Sequence, residues 1–262
     1  MNTAFRHGAP RARQPSEGIS VRIRRSMLSV ALLALPLAAA AAVSENFEEV
    51  TPPALPDGWT AAIATGAASD RPWTSVAVGY ANSPSNVAWI DDVDDYADIS
   101  LVSPTYSLPA SGTATITFHH SYGLWAPDPS DLDHGAFNGG VLEVSINGAP
   151  FQDLLTAGGT FSDGHYDATL DPSFDSPLAQ PPLLDRPVWS GRSADFVATT
   201  ATLPATANGG TIQLRWRLGT EGGGRSHDTH SGWWIDDFDC DQCTPAADDT
   251  IFKDGFDGPG QP

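Results

Sequence analysis

The stretch TIQLRWRL, Thr211 to Leu218, decides the fold. Ile212, Leu214, Trp216 and Leu218 fall on one side of an extended chain, and Gln213, Arg215 and Arg217 fall on the other. Successive side chains leave a strand on opposite faces, so this alternation marks a strand with one buried side. TATITFHHSY repeats the pattern, with Ala114, Ile116, Phe118 and His120 against Thr113, Thr115, Thr117 and His119. VLEVSI sets Leu142, Val144 and Ile146 opposite Glu143 and Ser145. ENFEEV, DISLVSPTYSL and FVATTATL read as further strands, separated by Gly, Pro, Asn and Ser clusters. No helical period stands out after the first 42 residues. One-sided alternation in this many strands predicts an all-β chain of two antiparallel sheets packed face to face.

Long connections interrupt the strands at about 123–139 and 161–191, and EGGGRSHDTHSG precedes the last strand. Connections of such length in a compact domain are functional or partly disordered as a rule. At the N-terminus, Arg22, Arg24 and Arg25 precede MLSVALLALPLAAAAA, which ends in alanines. A basic segment, a short apolar run and an Ala-x-Ala site are the marks of a secretory signal peptide. The run from Met27 to Ala42 is shorter than the roughly 20 residues that span a bilayer. Residues 1–42 are therefore expected to be removed on export, with the sandwich at 43–243 and an acidic, flexible tail at 244–262. The expected location is secreted or extracellular.

The leader holds six of the 13 Lys and Arg and, in Glu17, one of the 32 Asp and Glu, which leaves seven bases against 31 acids and a net charge of about −24. Phosphate binding relies on Lys and Arg, so this balance argues against nucleic acid and anionic membranes as partners. Most of the carboxylates must be solvated or bound to cations. The two cysteines, Cys240 and Cys243, form a C-x-x-C that could be redox-active or half of a zinc site in a cytosolic chain. Export favours a small structural disulfide.

Catalytic motifs are missing: there is no H-E-x-x-H, no G-x-S-x-G and no phosphate-cradling glycine loop. The reading is therefore of a chain that is not an enzyme. Glu143 sits on an alternating strand with no evident glutamate partner, and His227 and His230 lack a third metal ligand. His120 is expected at the edge of the core as a hydrogen-bonded histidine. Most of the eight tryptophans are expected in the core, whereas Trp125 and Trp189, in or beside long loops, are candidates for exposed contact with a glycan or protein ligand.

The tetrapeptide WIDD is written twice, at 89–92 and 234–237. Strict alternation along the second copy groups Trp234, Asp236, Phe238 and Cys240 on one face, and Trp233, Ile235, Asp237 and Asp239 on the other. Either way an aspartate accompanies large apolar neighbours, and a buried carboxylate needs donors or a cation. Calcium, which takes six to eight oxygens from carboxylates and carbonyls, is the natural solution. The first copy, Asp91 and Asp92, is more weakly placed and reads as a loop rim.

ENFE, LPDGW, DISLVSP, TITFHHSY, GGVLEVSINGAPF, WSGRSADF, IQLRWRLGT and GWWIDDF occur here in one order. This succession resembles the MAM-like, choice-of-anchor J type jelly-roll module of bacterial secreted proteins, related to the non-catalytic domain of immune inhibitor A metalloproteases. The resemblance spans about 45–240. It implies a jelly-roll sandwich for binding or adhesion, with structural calcium held by Glu45 and Asp236, and by Asp237 and Glu48 in reserve. Family members often read YDGGVLEIS where this chain reads FNGGVLEVS, so Asn138 replaces an acid. The tail IFKDGFD is similar to a C-terminal signature of some exported gammaproteobacterial proteins. The alternatives to a calcium-stabilised adhesion module are a carbohydrate-binding module and, third, an accessory domain of a hydrolase.

Overall fold

The computed structural model describes residues 43–66, 71–126, 135–171, 182–221 and 230–246. The leader, His227 and the IFKDGFD tail lie outside the described residues. Those described form the two-sheet antiparallel sandwich that the alternation predicts, in jelly-roll form.

The first sheet is built from β1 (Val43–Glu45), β3 (Thr74–Ala77), β4 (Asn86–Ile90), β7 (Thr115–Gly123), β10 (Thr160–Asp163), β13 (Val197–Thr202) and β15 (Gly232–Asp241). Its order is β10-β13-β7-β15-β4-β3, with β1 also paired to β15. The second sheet holds β2 (Thr60–Gly66), β5 (Tyr96–Val102), β6 (Tyr106–Ser107), β8 (Gly139–Ile146), β9 (Gln152–Asp153), β14 (Thr211–Glu221) and β16 (Thr244–Pro245). β14 lies at its centre, between β8 on one side and β5 and β6 on the other. Ile212, Leu214, Trp216 and Leu218 of β14 are all buried, and so are Ile116, Phe118 and His120 of β7. Phe118 and Trp216 meet edge to face across the layers, with ring centres 5.4 Å apart. Apolar burial between the two sheets is the main stabilising term.

ENFEEV is a strand only as far as Glu45. The chain then turns, Phe47 takes a left-handed φ of 60°, and its ring is fully buried.

β15 departs from strict alternation. Its register with β7 runs Trp233↔Tyr122, Ile235↔His120 and Asp236↔His119, then resumes at Asp239↔Thr117 and Cys240↔Ile116. Two residues, Asp237 and Phe238, therefore face the single Phe118. This is a β-bulge, and Asp237 carries the left-handed φ of 44° that Asp tolerates better than most residues. The bulge reverses the parity of the strand. Trp233 and Ile235 point inward before it, Phe238 and Cys240 after it. The grouping of Trp234, Asp236, Phe238 and Cys240 on one face is thus corrected by one inserted residue.

Cys240 and Cys243 are bonded, with Cα atoms 5.5 Å apart, and both are buried. The turn that they close hands the chain from the first sheet to the second, where Thr244 and Pro245 pair with β6. The described part of the 161–191 connection is ordered into β11 (Ala168–Thr169) and β12 (Pro187–Val188). It covers the outer face of β8, where Val141, Leu170, Leu183 and Val188 form a small second core with Ala136.

Candidate functional site

The two copies of WIDD have different surroundings. In the first, Asp92 is fully buried and accepts a 2.7 Å hydrogen bond from Asn138 Nδ2. Asn138 in turn accepts from the Glu221 amide through Oδ1 and from the Ser190 hydroxyl through its carbonyl. The first copy is therefore an interior junction and no loop rim. Asn138 supplies the donor that a second carboxylate in its place could not. Asp91 pairs with Arg71 at the surface.

In the second copy, Asp236 has no exposed surface but leaves the strand on the outer side. The loop between β3 and β4 covers it. Ser83 N–H donates to Asp236 Oδ2 at 3.0 Å, Asp237 N–H donates to Oδ1 at 2.8 Å, and Asn82 Nδ2 donates to Asp237 Oδ2 at 2.6 Å. Burial, reinforced by the charge of Asp237, pushes the Asp236 carboxyl up to about 6 against these amide donors. The donors that a buried carboxylate needs are thus supplied by a loop.

Of the four acids expected to bind calcium, Glu45 and Asp237 line one cleft of about 400 Å³ together with Glu49 and Asp239. Glu45 sits opposite Phe238 in the β1–β15 pairing, and its Oε1 accepts from the Phe47 amide at 2.7 Å. Burial raises its carboxyl above the usual range. Glu48 is used elsewhere: its Oε1 accepts the Asn86 amide at 2.6 Å and ties the turn after β1 to β4. Among the described residues, no three His, Cys, Asp or Glu side chains are grouped so as to hold a metal ion.

The same β3–β4 loop carries a feature that alternation does not reveal. Tyr80 projects from it with half of its surface exposed, 50%. Beneath it, His230 stacks on Trp234 with ring centres 4.0 Å apart and planes 22° from parallel. Tyr80 packs against both, at 5.1 Å and 6.1 Å. Trp89, paired with Trp234 across β4 and β15, extends the row at 6.4 Å. Trp233 and Trp234 are therefore both buried, because the strand is covered on both faces at this point. His230 is fixed by Ser121, whose hydroxyl lies 2.7 Å from its Nε2. Gly123 lets the His230 backbone come this close: a Cβ there would lie 1.8 Å from the His230 carbonyl oxygen. Beside Tyr80, a pocket of about 130 Å³ is lined by Ser121, Arg192, Asp195, Phe196 and His230.

Trp189 is corrected. It is 1% exposed, it packs on Phe118, His120, Tyr166 and Trp233, and its indole N–H donates to the carbonyls of Gly164 and His165. Its place beside a long connection suggested a loop surface, but its ring turns inward and joins the main core. Trp125 is half-buried against Phe137. His120 is the core histidine expected: it is hydrogen-bonded to Thr199 and to the indole N–H of Trp233, and burial together with the neighbouring His119 pushes it down to about 3, which keeps it neutral.

Glu143 is enclosed by cations. Arg186 Nη1 reaches Oε1 at 2.7 Å, Arg215 Nε reaches Oε2 at 2.6 Å, and Arg217 adds a longer contact at 3.3 Å while gripping Asp98 with two bonds of 2.7 Å. Burial alone would raise this carboxyl, but Arg186 and Arg215 hold it below the usual range. It stays ionised and paired, and so lacks the raised pKa of a general acid.

Fold and site together define an antiparallel β-sandwich with an aromatic pocket on the outer face of one sheet. No protein-family model matches the chain, and no characterised protein matches it in sequence. Among solved structures it is similar to a cleaved adhesin domain of Lys-gingipain from Porphyromonas gingivalis W83, at 15% identity and a TM-score of 0.42 over 76% of this chain and 97% of that one. A second cleaved adhesin domain of Lys-gingipain is similar at 15% identity and 0.41, over 76% and 99%. The CBM22-2 xylan-binding domain from Paenibacillus barcinonensis is similar at 13% identity and 0.35, over 76% and 98%. At these scores the likeness does not extend to what this chain binds. Among the described residues, no helix is long and apolar enough to cross a membrane.

Proposed function

We propose that the chain is an exported, non-catalytic binding module of the MAM-like, choice-of-anchor J kind, acting on an extracellular glycan or protein. The observation that carries this reading is Tyr80, a half-exposed ring held over a pocket by a rigid aromatic floor. Large, rigid aromatics beside a few polar groups are typical of recognition sites. The buried acids are meanwhile occupied: Glu143 by arginines, Asp92 by Asn138, and Asp167 by Tyr122 and the Ser190 amide. The leader supports export, and the scarcity of bases disfavours nucleic acid. The test is to probe arrays of glycans and extracellular-matrix proteins with labelled mature chain. Saturable binding to at least one is expected. Silence on both, or turnover in a broad hydrolase screen, would overturn the reading.

Calcium enters the proposal in a narrower form than the sequence suggested. Glu45, Glu49, Asp237 and Asp239 line one cleft without converging as a ready-made cage, and a hard divalent cation that drew them together would offset their repulsion. Asp236 and Glu48 are left out, since neither lines that cleft: Asp236 is turned to the Ser83 amide and Glu48 to the Asn86 amide. Thermal melts in calcium and in EDTA test this point, and equal melting temperatures would remove calcium from the proposal.

A further inference from the structure

We propose that the pocket beside Tyr80 receives one ring of a neutral polysaccharide, with the Tyr80 face as the stacking surface and Arg192 and Asp195 as partners for hydroxyl groups. The inference rests on the binding-module reading above and gives it a ligand class and a place.

Three features select this chemistry. The first is shape. At about 130 Å³ the pocket is well below the roughly 300–1,000 Å³ that enclose a drug-sized ligand, so it accommodates one unit of a chain that continues into solvent. The second is the pairing of a flat apolar face with a charged edge. Half of the Tyr80 surface is exposed and its ring stands tilted against His230 and Trp234, not stacked on them, while Arg192 and Asp195 are exposed residues on the same rim. A pyranose has the matching character, with C–H groups on its faces and hydroxyls around its edge. A carboxylate and a guanidinium together can accept from and donate to adjacent hydroxyls. The third is charge. With seven bases against 31 acids beyond the leader, the field of the chain opposes approach by a polyanion, which favours a neutral glycan over an acidic one.

Preorganisation completes the case. Tyr80 belongs to a loop closed by the Val78 amide on the Ser85 carbonyl at 2.9 Å. That loop is clasped to β15 through Ser83 on Asp236 and Asn82 on Asp237. The His230–Trp234 stack supports the ring from below. A side chain already held in place loses little entropy when a ligand lands on it. Burial also raises the Tyr80 hydroxyl above its ordinary value, so it remains an uncharged donor.

The experiment is affinity electrophoresis of the mature chain in gels containing xylan, mannan, β-glucan or, as the acidic control, polygalacturonate. Retardation by at least one neutral polysaccharide is expected. Tyr80→Ala should weaken it at least tenfold, and Tyr80→Phe, which keeps the ring, should retain it, with circular dichroism confirming that both variants fold. Retardation by no neutral polysaccharide, or by polygalacturonate alone, would overturn the ligand class. Retardation unchanged in Tyr80→Ala would overturn the pocket and leave the module reading intact. Array binding to a protein with every polysaccharide lane negative would do the reverse, sustaining the module and removing the saccharide.

Discussion

The Ser83 amide donates to Asp236 Oδ2 at 3.0 Å across 153 residues of sequence, so the second WIDD holds a loop in place. The carboxyl is buried, and its pKa of about 6 lies above the ordinary 3.8. Between those values the folded state binds a proton that the unfolded state has released. This contribution is therefore complete below the ordinary value and is lost as pH rises through about 6. In EDTA, urea unfolding of the wild type should show this loss between about pH 4 and 6, and Asp236→Asn should flatten the profile over that window. A profile unchanged by the substitution would refute the assignment.

Glu143 should behave in the opposite sense. Its carboxyl is held low by arginines, so its stabilisation is present above the unfolded value and lost as pH falls through the folded one. Glu143→Gln leaves Arg186, Arg215 and Arg217 without their shared anion. Breaking a buried ion pair from one side costs about 3–5 kcal/mol, and the partly exposed arginines place the expected loss at the lower end. Denaturant unfolding at pH 7 would measure it, and a neutral result would show that the array is dispensable.

Trp189→Ala should cost about 3–5 kcal/mol, as large-to-small changes in a core do. Trp125→Ala should cost much less, because that ring is only half-buried. Thermal melts of the two variants would rank them, and the reverse order would restore Trp189 as a surface residue.

Asn138→Asp would put the residue common in the resembled family against Asp92. The Nδ2 donor is lost and two carboxylates face each other in the interior. Leaving a buried group unsatisfied costs about 1–3 kcal/mol, and more for a charged one. The variant should be markedly less stable than wild type at pH 7 and recover part of the difference as pH falls and one carboxyl takes up a proton. Stability equal to wild type at pH 7 would contradict the junction.

The sandwich was legible because β7, β8 and β14 alternate without interruption, and period two leaves little choice about which face is buried. That Asp236 needs donors or a cation is legible from β15, but the Ser83 amide is not, since a loop 153 residues away leaves no local signal. Trp189 was misplaced because composition marks a connection without saying whether it folds back. The pocket could not be read at all. Tyr80 stands in a short polar loop, and only the pairing of β15 with β7 and β4 brings Ser121, Trp89 and Trp234 to one place. The parity of β15 was lost to the bulge, for which the run of aspartates is at best a faint cue.

Beyond that bulge β15 is sensitive to length more than to chemistry. Many side chains along the strand could be exchanged for others of similar size while its two faces survived. Removal of Asp237 alone would take out the bulge and leave Phe238 opposite Phe118, so that Phe238 and Cys240 still face the core and the grip of Asn82 on the strand is lost. One residue gained after Phe238 would instead turn Asp239 inward and Cys240 toward solvent, and the disulfide and the passage to the second sheet would go with it. In descent, therefore, this segment is expected to accept substitutions, and even the loss of the bulge codon, far more readily than the gain of a codon beyond it.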